Sequence, residues 1–335
     1  MSINKVPPPP PTKAPITLIE WESFSLPGIN VPLRRVKGTR RNGVPVVDEG
    51  YQFREDLVRE VAWAVWPHDD GDPTPCLLVG PKGCGKTSLI VQLAAHCNVV
   101  VYRTNLNVGT TVRHLLGRVG AEEGRTVYVP GIVTQCAEEG AWLLLDEITG
   151  ATPPVALALF PVLEARGAIR LEEEQPPRYI RRHQDFRVFA TDNTIGAEQE
   201  ESRFNYSGTN PDMNEALLDR FGSTVQVGYL EPEQEHAAVK AIVENIEDMD
   251  LIGIIRVAKS IRESGAGFAF STRMVIEWAR RIAAGYAFAD GTVKPYTNDD
   301  ILKAAFPAFL AKIRSKVERD SVAEVIRRVF AMAAG

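Results

Sequence analysis

Gly80-Pro81-Lys82-Gly83-Cys84-Gly85-Lys86-Thr87 decides how this chain is read. The stretch fits G-x-x-x-x-G-K-[ST], the pattern of a loop that cradles phosphate groups with its backbone N–H donors. Its flanks supply the context the pattern needs. Cys76-Leu77-Leu78-Val79 is a short apolar run and predicts a buried strand, while Ser88 to Ala95 predicts a helix with an apolar face. The glycines let backbone N–H groups turn inward around phosphate oxygens, and the start of the helix adds positive potential. The nucleotide-binding segment is therefore Gly80 to Ser88. Within it Lys86 is expected to reach the β- and γ-phosphates and the Thr87 hydroxyl to ligate Mg²⁺.

Further along, Trp142-Leu143-Leu144-Leu145-Asp146-Glu147 is an apolar strand ending in two carboxylates, about 60 residues after Lys86. Ligand groups of open α/β sheets gather at the carboxyl ends of strands. Asp146 is placed there to hold Mg²⁺ through water, and Glu147 to orient and polarise an attacking water. A strand-end acidic pair standing alone would fit a surface turn equally well; its place behind a phosphate loop gives it meaning. Phe189-Ala190-Thr191-Asp192-Asn193-Thr194 follows another strand. The Asn193 amide there has two readings: a hydrogen bond to the γ-phosphate or the lytic water, or a turn residue bonding its own backbone. Arg220 ends a helix, where an arginine commonly serves the helix dipole. Arg273 opens a helix, where the dipole disfavours a cation and an anionic partner such as nucleotide phosphate is implied.

The organisation around these motifs is an alternation of strands and helices. Helices are predicted at Phe53–Trp66, Val112–Leu116, Ile132–Glu139, Val155–Ala165 and Met213–Arg220. Strands are predicted at Val99–Tyr102, Phe186–Ala190 and Thr224–Val227 besides the two above, with Thr126–Val129 as one arm of a hairpin. Such alternation predicts an α/β fold: a five-stranded parallel sheet flanked by helices. From Glu233 onward the pattern is helical and predicts a C-terminal α-helical lid. The expected domains are a proline-rich leader and irregular segment over 1–50, an α/β nucleotide-binding domain over 51–230 and the lid over 231–335.

Composition narrows the function classes. The 335-residue chain has 44% hydrophobic and 24% charged residues and a net charge of −5, ordinary for a globular protein and not suggestive of nucleic acid. Arg34-Arg35-Val36-Lys37-Gly38-Thr39-Arg40-Arg41 is a local exception with five basic residues in eight. It reads first as a solvated arm paired with acidic neighbours, and second as a contact to nucleic acid or an acidic partner. No apolar run reaches membrane-spanning length and no secretory leader is visible, so a cytoplasmic setting without membrane contact is expected. Cys76, Cys84, Cys97 and Cys136 lack C-x-x-C spacing and read as reduced thiols.

Taken in order, these motifs resemble the AAA+ ATPases of the MoxR type, and within them the CobS-like group of cobaltochelatase ATPase subunits. The resemblance runs from about Tyr51 to the C-terminus. It is carried by the phosphate loop, Asp146-Glu147, Pro130-Gly131-Ile132, Ile180-Arg181-Arg182-His183, the Phe186–Thr194 stretch, Leu218-Asp219-Arg220-Phe221 and Ser271-Thr272-Arg273. It implies that Asn193 is the first sensor, Arg220 a finger acting on a neighbouring subunit's ATP, and Arg273 the second sensor. It implies ATP and Mg²⁺ as ligands, a homo-oligomeric ring that is usually hexameric, and a partner carrying a von Willebrand A-type domain. Asp192 departs from the group, which usually has a small residue there, and the region before Tyr51 matches it poorly.

The expected function is thus an ATP-hydrolysing ring motor that remodels or activates a partner protein. One alternative is the ATPase subunit of a chelatase inserting cobalt or magnesium into a tetrapyrrole. Another is a nucleic-acid-associated motor, against the acidic balance. A third, a scaffold that binds ATP without turnover, runs against the intact Asp146-Glu147 pair.

Overall fold

The computed structural model describes residues 19–66, 73–122, 125–164, 167–180, 182–193, 211–264, 269–287, 292–294 and 300–333. The proline-rich leader, Arg181 and Thr194 lie outside the described residues.

The described residues open on an antiparallel pair, β1 (Trp21–Phe24) and β2 (Leu33–Val36), inside the segment expected to be irregular. Four-residue strands between Pro and Gly are too short to show a period. The basic run starts on β2, and its Arg35 and Lys37 pair with Glu22 and Glu20 across the hairpin. Helix α1 (Glu55–Val65) follows, then β3 (Cys76–Val79), α2 (Lys86–His96) and β4 (Val101–Asn105). β4 sits further along than the Val99–Tyr102 expectation. The short α3 (Val112–Leu115) leads into a hairpin of β5 (Gly117–Glu122) and β6 (Arg125–Pro130) and then into α4 (Ile132–Glu139). β7 (Trp142–Asp146) and α5 (Pro153–Leu163) come next. A second hairpin of two-residue strands, β8 (Arg170–Leu171) and β9 (Arg178–Tyr179), precedes β10 (Arg187–Asp192). In its loop Glu173 accepts from Arg113 Nε at 2.7 Å and from the Val119 amide at 3.3 Å, so the two hairpins are tied together. Helix α6 (Pro211–Leu218) and β11 (Ser223–Gln226) complete the domain.

Five strands form one all-parallel sheet in the order β11-β3-β10-β7-β4. Side chains alternate between its faces, as strand geometry requires. Leu77, Leu143, Leu145 and Val188 meet α4 and α5 through Val133, Ala137, Val155 and Leu159 on one side. Cys76, Leu78, Trp142, Leu144 and Phe189 meet α1 and α2 through Val61, Leu89, Ile90 and Leu93 on the other. On that second face Trp66 lies 6.2 Å from both Trp21 and Trp142, ring centre to ring centre. Because both faces are covered, the central strands are apolar throughout rather than alternating, which is why they were legible as runs. The register sets Asp192 beside Val79, Ala190 beside Leu145 and Asn105 beside Asp146. The carboxyl ends of β3, β10, β7 and β4 therefore open onto one edge.

The C-terminal part is helical: α7 (Pro232–Ile242), α8 (Asp248–Glu263), α9 (Thr272–Ala284), α10 (Ile301–Ala308) and α11 (Lys316–Ala333). Its core is aromatic, with Trp278 packed against Phe270, Phe309 and Phe330. The Trp278 indole is fully buried and donates to Ile301 O at 3.3 Å. Among the described residues one element departs from an all-helical lid: a small pair, β12 (Tyr286–Ala287) with β13 (Val293–Lys294), entered through Gly285 at φ +65°. Two residues per strand carry no periodic signal. Among the described residues no helix is long and apolar enough to cross a membrane.

Candidate nucleotide-binding site

The loop between β3 and α2 has three glycines at positive φ: Gly80 at +146°, Gly83 at +72° and Gly85 at +99°. Gly80 has a second reason to lack a side chain, since a Cβ there would stand 2.0 Å from Val227 O. Gly85 is the N-cap of α2, no side chain caps that end, and the first turn holds no acid. The leading amides of α2 are thus available to an anion.

Lys86 is the first residue of α2 and is buried. Its Nζ donates to Gly80 O at 2.7 Å, Pro81 O at 2.8 Å and Asn193 Oδ1 at 2.7 Å, and lies 3.8 Å from Cys84 Sγ. Burial pulls the Lys86 pKa down, with Cys84, Asp192 and Asp146 pulling it back up. Cys84 is buried as well, and burial pushes its thiol up against the opposing pull of Lys86. All four cysteines are free.

Asp146 ends β7 and is 4% exposed. Its Oδ1 accepts from Thr87 Oγ1 and from Thr191 Oγ1, each at 2.8 Å. Its Oδ2 pairs with Arg103 Nε of β4. Glu147 follows with φ +56°, a left-handed conformation unusual for glutamate. The Glu147 amide donates to Thr191 Oγ1 at 3.4 Å and its Oε2 accepts from Asn105 Nδ2 at 3.3 Å. The turn after it is fixed by fully buried Asp192, which accepts from Thr149 Oγ1 at 2.5 Å and the Thr149 amide at 3.4 Å. The departure at Asp192 thus has a job: it ties the end of β10 to the turn that presents Glu147. The Asn193 side chain accepts from Lys86 through its Oδ1.

The two arginines lie apart. Arg220, just beyond α6, stacks on Phe160 with its guanidinium carbon 3.6 Å from the ring centre. It donates to Ala216 O at 2.5 Å and approaches Glu164 at 3.7 Å. It therefore does serve the end of its own helix, on the α5 side of the domain. Arg273 is exposed on the first turn of α9. That helix starts against the phosphate loop: a Cβ on Gly83 would fall 2.5 Å from Ser271 Cβ, and Ser271 is the α9 N-cap. Exposed Lys82 and Ser88 flank the pocket, and the Lys82 carbonyl accepts from the Tyr229 hydroxyl at 3.1 Å.

The donor set fits a Mg²⁺-nucleoside triphosphate. Three left-handed glycines, an uncapped helix start and a buried ammonium suit phosphate oxygens; a hydroxyl and a carboxylate 2.8 Å apart suit a hard cation. Sequence reasoning missed Arg103, Asn105, Thr191 and the role of Asp192. Arg103, Asn105 and Thr191 meet their partners through the register of neighbouring strands, and Asp192 meets Thr149 in the turn after β7, although Thr191 and Asp192 lay inside a motif already singled out.

Residues 75–221 match the model of the AAA domain of the dynein-related subfamily, and residues 233–333 match the midasin AAA lid domain. The aerobic cobaltochelatase subunit CobS of Sinorhizobium sp is 28% identical over 93% of this chain and 94% of its own length. Protein NorQ of Paracoccus denitrificans is 25% identical over 75% of this chain and 90% of its own. The gas vesicle ATPase GvpN of Haloferax mediterranei is 28% identical over 56% of each. With the parallel sheet, the phosphate loop and the helical lid in one chain, these similarities establish that the protein belongs to the MoxR-type AAA+ ATPases.

Proposed function

We propose that this ATPase is a Mg²⁺-dependent ring motor, hexameric in its working form, that remodels or activates a partner protein bearing a von Willebrand A-type domain. The observation that carries the site assignment is the convergence of Lys86 on Asn193 at 2.7 Å and of Thr87 on Asp146 at 2.8 Å, from the start of α2 and the ends of β7 and β10. Lys86 neutralises phosphate charge. Thr87 and Asp146 hold Mg²⁺, which when bound offsets the charge of the β- and γ-phosphates. Glu147, held by Asn105 and the Thr191 hydroxyl, polarises the attacking water, and Asn193 orients it. Arg220 stacks on Phe160 of α5 at the end of α6, a position that suits service to a neighbouring subunit. Arg273, next to the α9 N-cap on the loop, suits its own subunit's nucleotide.

Two substitutions test the assignment. Lys86→Ala should abolish nucleotide binding, because the phosphate charge is left uncompensated. Glu147→Gln should bind MgATP like the parent and hydrolyse it slower by about 10²–10⁴-fold, the size of a general-base contribution. Equal loss of affinity in both would overturn the roles. One further reading has an observation behind it: similarity to a cobaltochelatase subunit over nearly the whole chain supports service as the motor of a metal chelatase. Copurification with a tetrapyrrole-binding subunit would favour it.

A further inference from the structure

Behind the phosphate loop lies a buried polar assembly with no part in the roles above. Glu235 of α7 is fully buried and Arg262 of α8 nearly so. They form a two-pronged pair, Nη1 to Oε2 and Nη2 to Oε1, both at 2.8 Å. Glu235 Oε1 also accepts from Thr272 Oγ1 at 2.7 Å. Arg262 Nε donates to Phe270 O at 2.8 Å, and the guanidinium lies over the Tyr229 ring, 4.0 Å from its centre. Both carboxylate oxygens of Glu235 and all three guanidinium nitrogens of Arg262 therefore have a partner, which favours one geometry for the pair.

Two arms run from the pair to the crown of the phosphate loop. Along the first, Arg262 supports Tyr229, whose hydroxyl donates to Lys82 O at 3.1 Å. In a trans peptide the carbonyl and the next amide point opposite ways. Anchoring Lys82 O outward thus turns the Gly83 N–H inward, toward the phosphate positions. Along the second, Glu235 and Arg262 hold Thr272 and Phe270, which bracket Ser271, and Ser271 sits on Gly83 with no room for a Cβ between them. Arg273 is the next residue along.

We infer that Glu235 and Arg262 are a positioning pair that seats the lid on the phosphate loop through Tyr229 and Ser271, so that loop geometry and lid placement are set together. The inference rests on the phosphate-loop reading and extends it to the lid. A well-packed lid without such a role would tolerate loss of the Tyr229 hydroxyl.

The test is calorimetric titration of the full chain with MgADP, alongside thermal unfolding without nucleotide. Tyr229→Phe should weaken MgADP about 3–10-fold, the reach of one hydrogen bond, with the unfolding midpoint within about 2 °C of the parent. Glu235→Gln should weaken binding at least as much. The double variant should lose less than the product of the two effects, because both act through the same seat. Arg262→Lys, which keeps charge but loses the planar fork, takes the place of Glu235→Gln if that variant does not fold. Parent-like MgADP affinity in Tyr229→Phe, or losses that simply multiply, would overturn the inference. Lys86→Ala separates the two levels: if it still binds MgADP, the phosphate-loop reading itself fails, whereas loss there beside a silent Tyr229→Phe removes only the positioning pair.

Discussion

Lys86 is the residue on which chemistry and burial pull hardest against each other. Desolvation lowers its pKa from the usual 10.5, so the protein alone bears a penalty for the charged form at every pH below that lowered value. Phosphate favours the same charged form. Affinity should therefore be full below the lowered pKa and fall, by up to about tenfold per pH unit, as alkaline pH strips the proton that binding must restore. MgADP titrations from neutral to alkaline pH check this; an affinity flat up to the ordinary lysine value would show that burial leaves Lys86 unperturbed. The residues legible in the sequence were those whose chemistry is contiguous, Gly80–Thr87 and Asp146-Glu147. Asn193 stayed ambiguous because its partner Lys86 is 107 positions away. Arg103 was invisible because only the β4–β7 register brings it to Asp146. The Arg103 end of that pair is 58% exposed but the Asp146 end only 5%, so Arg103→Ala leaves a buried carboxylate with its hydroxyl partners alone and should destabilise the protein by about 1–3 kcal/mol in chemical denaturation.

At the level of elements, strands buried on both faces were read almost residue for residue, since a run of Cys76-Leu77-Leu78-Val79 has no solvent-facing position to blur it. Pairs such as β1–β2, β8–β9 and β12–β13 were not, because two to four residues give too few alternations to set against Pro and Gly. The hairpin β5–β6 was half visible: Thr126–Val129 carries β-branched and aromatic residues, whereas β5 reads Gly-Arg-Val-Gly-Ala-Glu. The lid offers a sharp check on helix packing. Gly253 sits within α8, where alanine ordinarily gains about 1 kcal/mol. Here a Cβ would come within 2.6 Å of the Phe330 ring, which is itself buried against Trp278. Gly253→Ala should therefore destabilise the protein by about 1–3 kcal/mol in chemical denaturation, the usual cost of overpacking. A rise in stability would show that α11 yields freely.

For the whole molecule, the proposed ring makes hydrolysis a property of neighbours. Arg220→Ala subunits should bind MgATP normally yet lose turnover by about 10³–10⁵-fold, the worth of a finger arginine. Mixed with Lys86→Ala subunits they should regain activity, since an intact loop can then face an intact arginine. Arg273→Ala mixed with Lys86→Ala should regain little, because each subunit keeps a defective site of its own. The reverse pattern would exchange the two assignments. Light scattering with MgATP should report about six subunits; a strict monomer would end the ring proposal. The tryptophans give the molecule its own optical labels. Of the five, Trp21, Trp63, Trp66 and Trp142 precede the lid and Trp278 alone lies within it, at zero exposure. Trp21, Trp66 and Trp142 are near enough to couple electronically and shape the near-ultraviolet dichroism, while Trp278 contributes an isolated blue-shifted emission. Trp278→Phe subtracted from the parent would then yield a spectrum of the lid by itself, a way to watch the lid loosen while the rest of the chain stays folded.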